Sequence, residues 1–137
     1  MNDAADIVRD YLVAQPAIIA LTGTRIWAEL TYPPDGYKPS HGEAIVFKST
    51  PGSFDAANTL LRTRWQFKCY GPDAYQIRNV YFALMDAMHD TQGRGNILSS
   101  QPAGPGTILE DARKGWPFML VFIETLVRSG LPQYSPT

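Results

Sequence analysis

The chain has 137 residues, 45% of them hydrophobic, which is enough for one core that needs no disulfide or metal to hold it. Twelve Lys and Arg against thirteen Asp and Glu give a net charge of -1, which excludes the global positive field that drives non-specific phosphate binding. One cysteine cannot close an internal disulfide, and with two histidines it cannot complete a structural zinc set, so a reducing compartment and a chain without cofactor or metal are expected.

At the amino terminus Asp3 and Asp6 stand where a signal peptide carries positive charge, and the longest apolar run, residues 118–123, is too short to cross a bilayer. A soluble cytosolic protein with no membrane partner is expected. Residues 2–15 place Ala4, Ile7, Val8, Tyr11 and Leu12 on one helical stripe, with Asn2 or Asp3 as N-cap. Pro16 interrupts this helix, residues 17–21 add a turn or two, and Gly23 ends it. Residues 24–30 read as a short strand, and residues 31–43 as a Pro, Gly and Tyr-rich loop longer than a simple connection needs.

A second strand follows at 44–49 and a polar loop at 50–60. In residues 62–70, Trp65, Phe67 and Cys69 alternate with Arg64, Gln66, Lys68 and Tyr70, the pattern of a half-buried strand. Pro72 to His89 is the strongest helix, with Asp73 at its positive end and a core stripe of Ile77, Val80, Tyr81, Leu84 and Met88. A second row, Tyr75, Arg78, Phe82 and Met85, lies on another face and is too apolar for open solvent. Beyond a turn at 89–96, the pattern gives a short strand from Ile97, a turn, a poor strand at 107–114 and a long strand at 117–128. Residues 118–123 are apolar on both faces, which predicts a central strand covered on both sides. The segregated order predicts an α+β fold, a mostly antiparallel sheet with two helices packed on one face, in a single domain over 1–128 with a flexible tail at 129–137.

Chemistry is sparse. Cys69 shares an inward face with Trp65 and Phe67 and reads as a core residue; as a nucleophile it needs a histidine base, and neither His41 nor His89 is placed to supply one. The glycines at 93–95 and 104–106 follow a helix or precede strand-like sequence, the reverse of a phosphate loop, and read as turns. Glu110 and Asp111 are adjacent and fall on opposite faces of a strand. Glu124, aligned with Phe122 and Leu126, is either a buried charge or a residue near a sheet edge. Arg62, Arg64, Lys68, Arg113 and Lys114, with Tyr70 and Trp116, make either a surface for single-stranded nucleic acid or a solvated sheet face.

Three stretches, residues 4–27, 44–49 and 62–90, give the chain a pattern that resembles the tail-terminator or tail-completion family of tailed bacteriophages. In that family a short N-terminal helix steps through Gly and Arg into a first strand, and a strand ending near a cysteine or aromatic feeds a long helix. The resemblance covers about residues 4–128 and its motifs are diffuse. It implies a non-enzymatic virion protein assembled in the bacterial cytoplasm, a homo-oligomer, usually a hexameric ring. Its implied partners are the tail tube protein and a head-closure or neck protein, with DNA passing through the lumen unbound. It further implies that Tyr75, Arg78, Phe82 and Met85 form a subunit contact. The loop at 31–43 departs from the family pattern, and Tyr32, Pro33, Pro34 and Tyr37 are its candidates for docking on a partner. Asp35, Glu43 and Asp55 are loop acids able to face DNA in a lumen. The competing readings are a head-closure or neck adaptor ring, a small thiol enzyme using Cys69, and a single-strand-binding module.

Overall fold

A computed structural model describes residues 4–50, 60–88, 91–94, 97–112 and 114–128. The expected N-cap at Asn2 or Asp3, the loop acid Asp55, His89, Arg113 and the tail at 129–137 lie outside these residues, as does the side chain of Arg62.

The first helical segment is two helices, α1 (Ala4–Val13) and α2 (Pro16–Thr22). Gln15 is extended at φ -92° and ψ 114°, and Pro16, which has no N–H to donate, opens the second helix. Gly23, at φ 57°, ends α2 with its N–H on the Ile19 carbonyl. The third helix, α3 (Ala74–Met88), starts where the Asp73 carboxylate accepts the Gln76 N–H at 2.9 Å.

Among the described residues seven strands form one sheet: β1 (Ile26–Ala28), β2 (Ala44–Ser49), β3 (Leu60–Tyr70), β4 (Thr91–Arg94), β5 (Ile97–Pro102), β6 (Thr107–Glu110) and β7 (Pro117–Arg128). Their order is β1-β2-β3-β7-β5-β4, and β6 pairs with β7 beyond the end of β5. The sheet is mixed, because β1 and β2 run parallel with Ile26 opposite Ile45. This overturns the expected mostly antiparallel sheet with two helices: the described residues form three α-helices, and one edge of the sheet is parallel. The physical reason is the connection 29–43, which crosses over a sheet face as a parallel pair demands, in a segment with no helical pattern to announce it. The strand β4 was expected as a turn; it pairs antiparallel with β5, so Gly93 and Arg94 belong to a ladder.

All three helices pack on one sheet face. There Val8, Leu12, Ile18, Ile45, Trp65, Phe67, Cys69, Ile77, Leu84 and Ile123 build the main core. The alternation in β3 that puts Trp65, Phe67 and Cys69 inward also turns Tyr70 to the opposite face, where it joins a smaller cluster of Tyr37, Ala44, Val46 and Phe118. The loop at 31–43 and the turn before β7 cover that cluster. Further along β7 the second face is only half-covered: Leu120, Phe122, Glu124 and Leu126 are partly exposed, so the strand is not enclosed on both sides as its composition suggested.

Candidate interaction surface

Helix α3 presents two flanks. One leans on the N-terminal helices, where Ala83 and Ala87 pack against the core and the Tyr11 hydroxyl donates to the Ala87 carbonyl. The other carries the second row. Tyr75 is 70% exposed and Phe82 58%, Arg78 is exposed, and Met85 is half-buried against the main core. An exposed phenylalanine and tyrosine two turns apart on one face of a well-formed helix are uncommon on a surface facing only water.

The same flank borders β6. Tyr81 lies between the core stripe and the outer row; its hydroxyl accepts the Gly106 N–H at 3.1 Å, and its ring lies 5.6 Å from that of Phe82. A Cβ at position 106 would come within 2.6 Å of the Tyr81 ring and 2.9 Å of the Met119 sulfur, so glycine is what allows the strand to approach the helix. Every residue of β6 is exposed, including Ile108 at 43% and Leu109 at 42%. Of the five large exposed apolar side chains among the described residues, Tyr75 and Phe82 on α3 and Ile108 on β6 lie on the helix side of the sheet, whereas Leu109, opposite Phe118, lies on the other side, and the fifth is Leu30. Sequence reasoning found the helix half of this surface and missed the strand half. An exposed four-residue strand with polar ends has no periodicity to read.

The loop candidates lie on the opposite sheet face and do not join the α3 row. Tyr37 is buried, its hydroxyl donating to the Gly42 carbonyl at 2.7 Å and its ring meeting Trp27, Tyr70 and Trp116 edge-on. Burial pushes its hydroxyl up to about 12, with the Arg25 charge opposing and Glu43 adding to the shift. Pro33 is buried, and Tyr32 and Pro34 are half-buried. Of the expected loop acids, Asp35 is exposed and Glu43 half-buried.

The groups considered for chemistry are occupied elsewhere. Cys69 is fully buried between Ile45 and Met119 in register, and desolvation pushes its thiol up to about 12, opposite to what a nucleophile requires. His41 sits in a short turn, where its Nδ1 accepts the Lys38 N–H at 3.3 Å. Lys68 is buried too, donating to the Thr31 carbonyl at 2.8 Å under the rings of Tyr32 and Phe118, and desolvation lowers its pKa. Arg64 stacks on Phe122 and Lys114 on Trp116, while Tyr70 donates to Asp111 Oδ2 at 3.3 Å. The described members of the basic and aromatic set, Arg64, Lys68, Lys114, Tyr70 and Trp116, are thus tied into their own sheet face. Asp111, buried, also accepts the Lys114 N–H at 3.0 Å and organises the turn into β7; Glu110 points to solvent. Glu124 is half-buried opposite Arg64 and Gln101. Among the described residues no group of three or more His, Cys, Asp and Glu is placed to hold a metal, and no helix is long and apolar enough to cross a membrane.

The fold so defined, three helices on one face of a mixed seven-stranded sheet, occurs in a known virion. A chain of a structure titled "Virion of native gene transfer agent (GTA) particle" is similar over 89% of this chain and 92% of its own length, with a TM-score of 0.62 and 12% identity. No protein-family model matches the chain, and no curated protein matches it.

Proposed function

We propose that this is a structural virion protein of a tailed phage or phage-like particle, a ring that ends the tail tube and joins it to the head or neck, without catalysis. The observation that carries this reading is the shared fold with a chain of a gene transfer agent virion, nearly end to end in both chains. The exposed Tyr75 and Phe82 supply a contact surface of the kind a ring subunit needs, and the burial of Cys69 weighs against the thiol-enzyme alternative. In this reading the protein is a homo-oligomer, six copies in the ring, which stacks on the tail tube protein and meets a head-closure or neck protein. It is assembled in the bacterial cytoplasm and remains in the virion. DNA slides through the lumen, and Asp35 is a loop acid available to repel it.

Particles made without the gene, examined by negative-stain imaging, test the assignment. Overlong or unsealed tails beside full heads are the expected result. Leaking, tailless heads would move the protein to head closure, and normal particles would refute the virion role.

A further inference from the structure

The outward edge of β6 is a ready template for another strand, and hydrogen-bond geometry identifies which groups it offers. In an antiparallel ladder, residue pairs alternate between those that exchange both main-chain bonds and those that exchange none. Asp111 donates its N–H to the Trp116 carbonyl at 2.7 Å, and 111 with 116 continues the register that sets Glu110 opposite Pro117 and Leu109 opposite Phe118. Thr107, Leu109 and Asp111 therefore face β7, which also spares Pro117 the N–H it lacks. Ile108 and Glu110 direct their N–H and C=O groups away from the sheet, and among the described residues β6 pairs with β7 alone. Of the devices that protect natural edges, β6 has shortness and the charge of Glu110 but no lysine, proline or bulge.

This edge is continuous with the exposed flank of α3 through the contact of Gly106 with Tyr81. Tyr75, Phe82 and Ile108, which shares the helix side of the sheet with Met119, together expose on the order of 350 Å², a little under half of what one partner buries in a standard interface, while Leu109 lies on the other face with Phe118. That is too much for a surface meeting only water and too little for a tight isolated dimer, but it suits a closed ring in which every subunit makes two contacts. The far edge of the sheet has complementary features: exposed Leu30 just beyond β1, and exposed Asp6 and Asp10 on the helix packed over β1, against Arg78 on the α3 flank.

We infer that a second copy of this chain docks head-to-tail on the surface formed by the α3 flank and β6, adding main-chain hydrogen bonds at Ile108 and Glu110. The inference rests on the ring reading above and specifies how its subunits join. Ile108→Pro removes one outward N–H and leaves every β6 to β7 bond in place, whereas Phe82→Ser removes apolar area on the helix. Light scattering and native mass spectrometry of the full chain, from about 1 µM to about 1 mM, follow association, and circular dichroism confirms that the variants fold. Each substitution is expected to weaken self-association by about thirtyfold or more, and amide exchange at Ile108 and Glu110 should slow when the wild type associates. Wild-type association that survives both substitutions overturns this interface and leaves the ring reading standing. A wild type that stays monomeric to the highest concentration, with fast exchange at both amides, overturns it as well. Loss of association in both variants alongside normal tails in particles lacking the gene would keep the interface and remove the tail assignment.

Discussion

Tyr37 offers the sharpest test of how the loop at 31–43 is held, because its ring and its hydroxyl make separable contributions. The ring is 6% exposed and meets Trp27, Tyr70 and Trp116 at centroid distances of 5.6, 6.4 and 5.8 Å. Deleting it in Tyr37→Ala should destabilise the protein by about 3–5 kcal/mol, the range for large aromatic truncations in a core. Tyr37→Phe keeps the ring and removes only the bond to the Gly42 carbonyl, for a loss of about 1 kcal/mol. The pH dependence then separates the two variants. Burial raises the folded-state pKa from 10.0 to about 12, so the folded protein holds this proton more tightly than the unfolded chain. That stability is fully present below pH 10 and is lost as pH rises towards 12, at about 1.4 kcal/mol per unit. Phenylalanine has no proton to lose. The wild type should therefore be the more stable of the pair at neutral pH and the less stable at pH 12, with the order reversing between about pH 10.5 and 11. Urea unfolding followed by near-ultraviolet circular dichroism, which reports the neighbouring Trp27 and Trp116, measures both effects. Parallel stability curves for wild type and Tyr37→Phe up to pH 12 would refute the reasoning, as would Tyr37→Ala within 1 kcal/mol of wild type.

Other consequences can be measured on the same footing. The Trp65 indole donates to Thr125 Oγ1 at 2.8 Å inside the main core, so Thr125→Val should cost about 1–3 kcal/mol by orphaning that N–H. Combining it with Trp65→Phe should recover part of the loss in a double-mutant cycle. Gly106→Ala should destabilise by about 1–3 kcal/mol through its clash with Tyr81 and Met119, and Tyr81→Ala should relieve much of that clash; additivity of the two changes in thermal unfolding would contradict it. A thiol reagent should modify Cys69 of the native protein only at the rate of its unfolding, and fast stoichiometric labelling at neutral pH would show that the thiol is reachable.

What could be read in the sequence was whatever a single element encodes by itself. The 3.6-residue stripe of Ile77, Val80, Tyr81, Leu84 and Met88 and the alternation of Trp65, Phe67 and Cys69 each state which side faces inward, and all but Tyr81, which is half-buried at the stripe's margin, are buried. The outer row on α3 was legible as the remainder: once the core stripe was assigned, Tyr75 and Phe82 had no partner within the helix. The rest depends on elements distant in sequence. Tyr37 is interior only because Ala44, Val46, Tyr70 and Phe118 come together as a face when three strands align. The parallel pairing of β1 with β2 leaves no mark in either strand, since both are short apolar runs that fit either direction, and only the path of the intervening loop decides between them. The polar segment of β4 becomes a strand because β5 offers it an edge. In β6 the same cause hid the second half of the surface: its residues are exposed on both sides, so hydrophobic patterning says nothing about them.

The pairing of β3 with β7 fixes the order in which this molecule can be built. From Leu60↔Arg128 to Tyr70↔Phe118, the two strands that form the middle of the sheet join residues roughly 50 to 70 positions apart, and β7 is the last of the described strands to be made. At a synthesis rate of roughly 5–20 residues per second, β3 can pair with β2 at once but waits several seconds for β7, with its other edge unsatisfied and the core around Trp65 and Phe67 incomplete. Contacts of such long range fold slowly even in a complete chain. During that interval the nascent protein is at its most vulnerable to wrong pairings, and a cell that makes many copies at once must keep these intermediates apart.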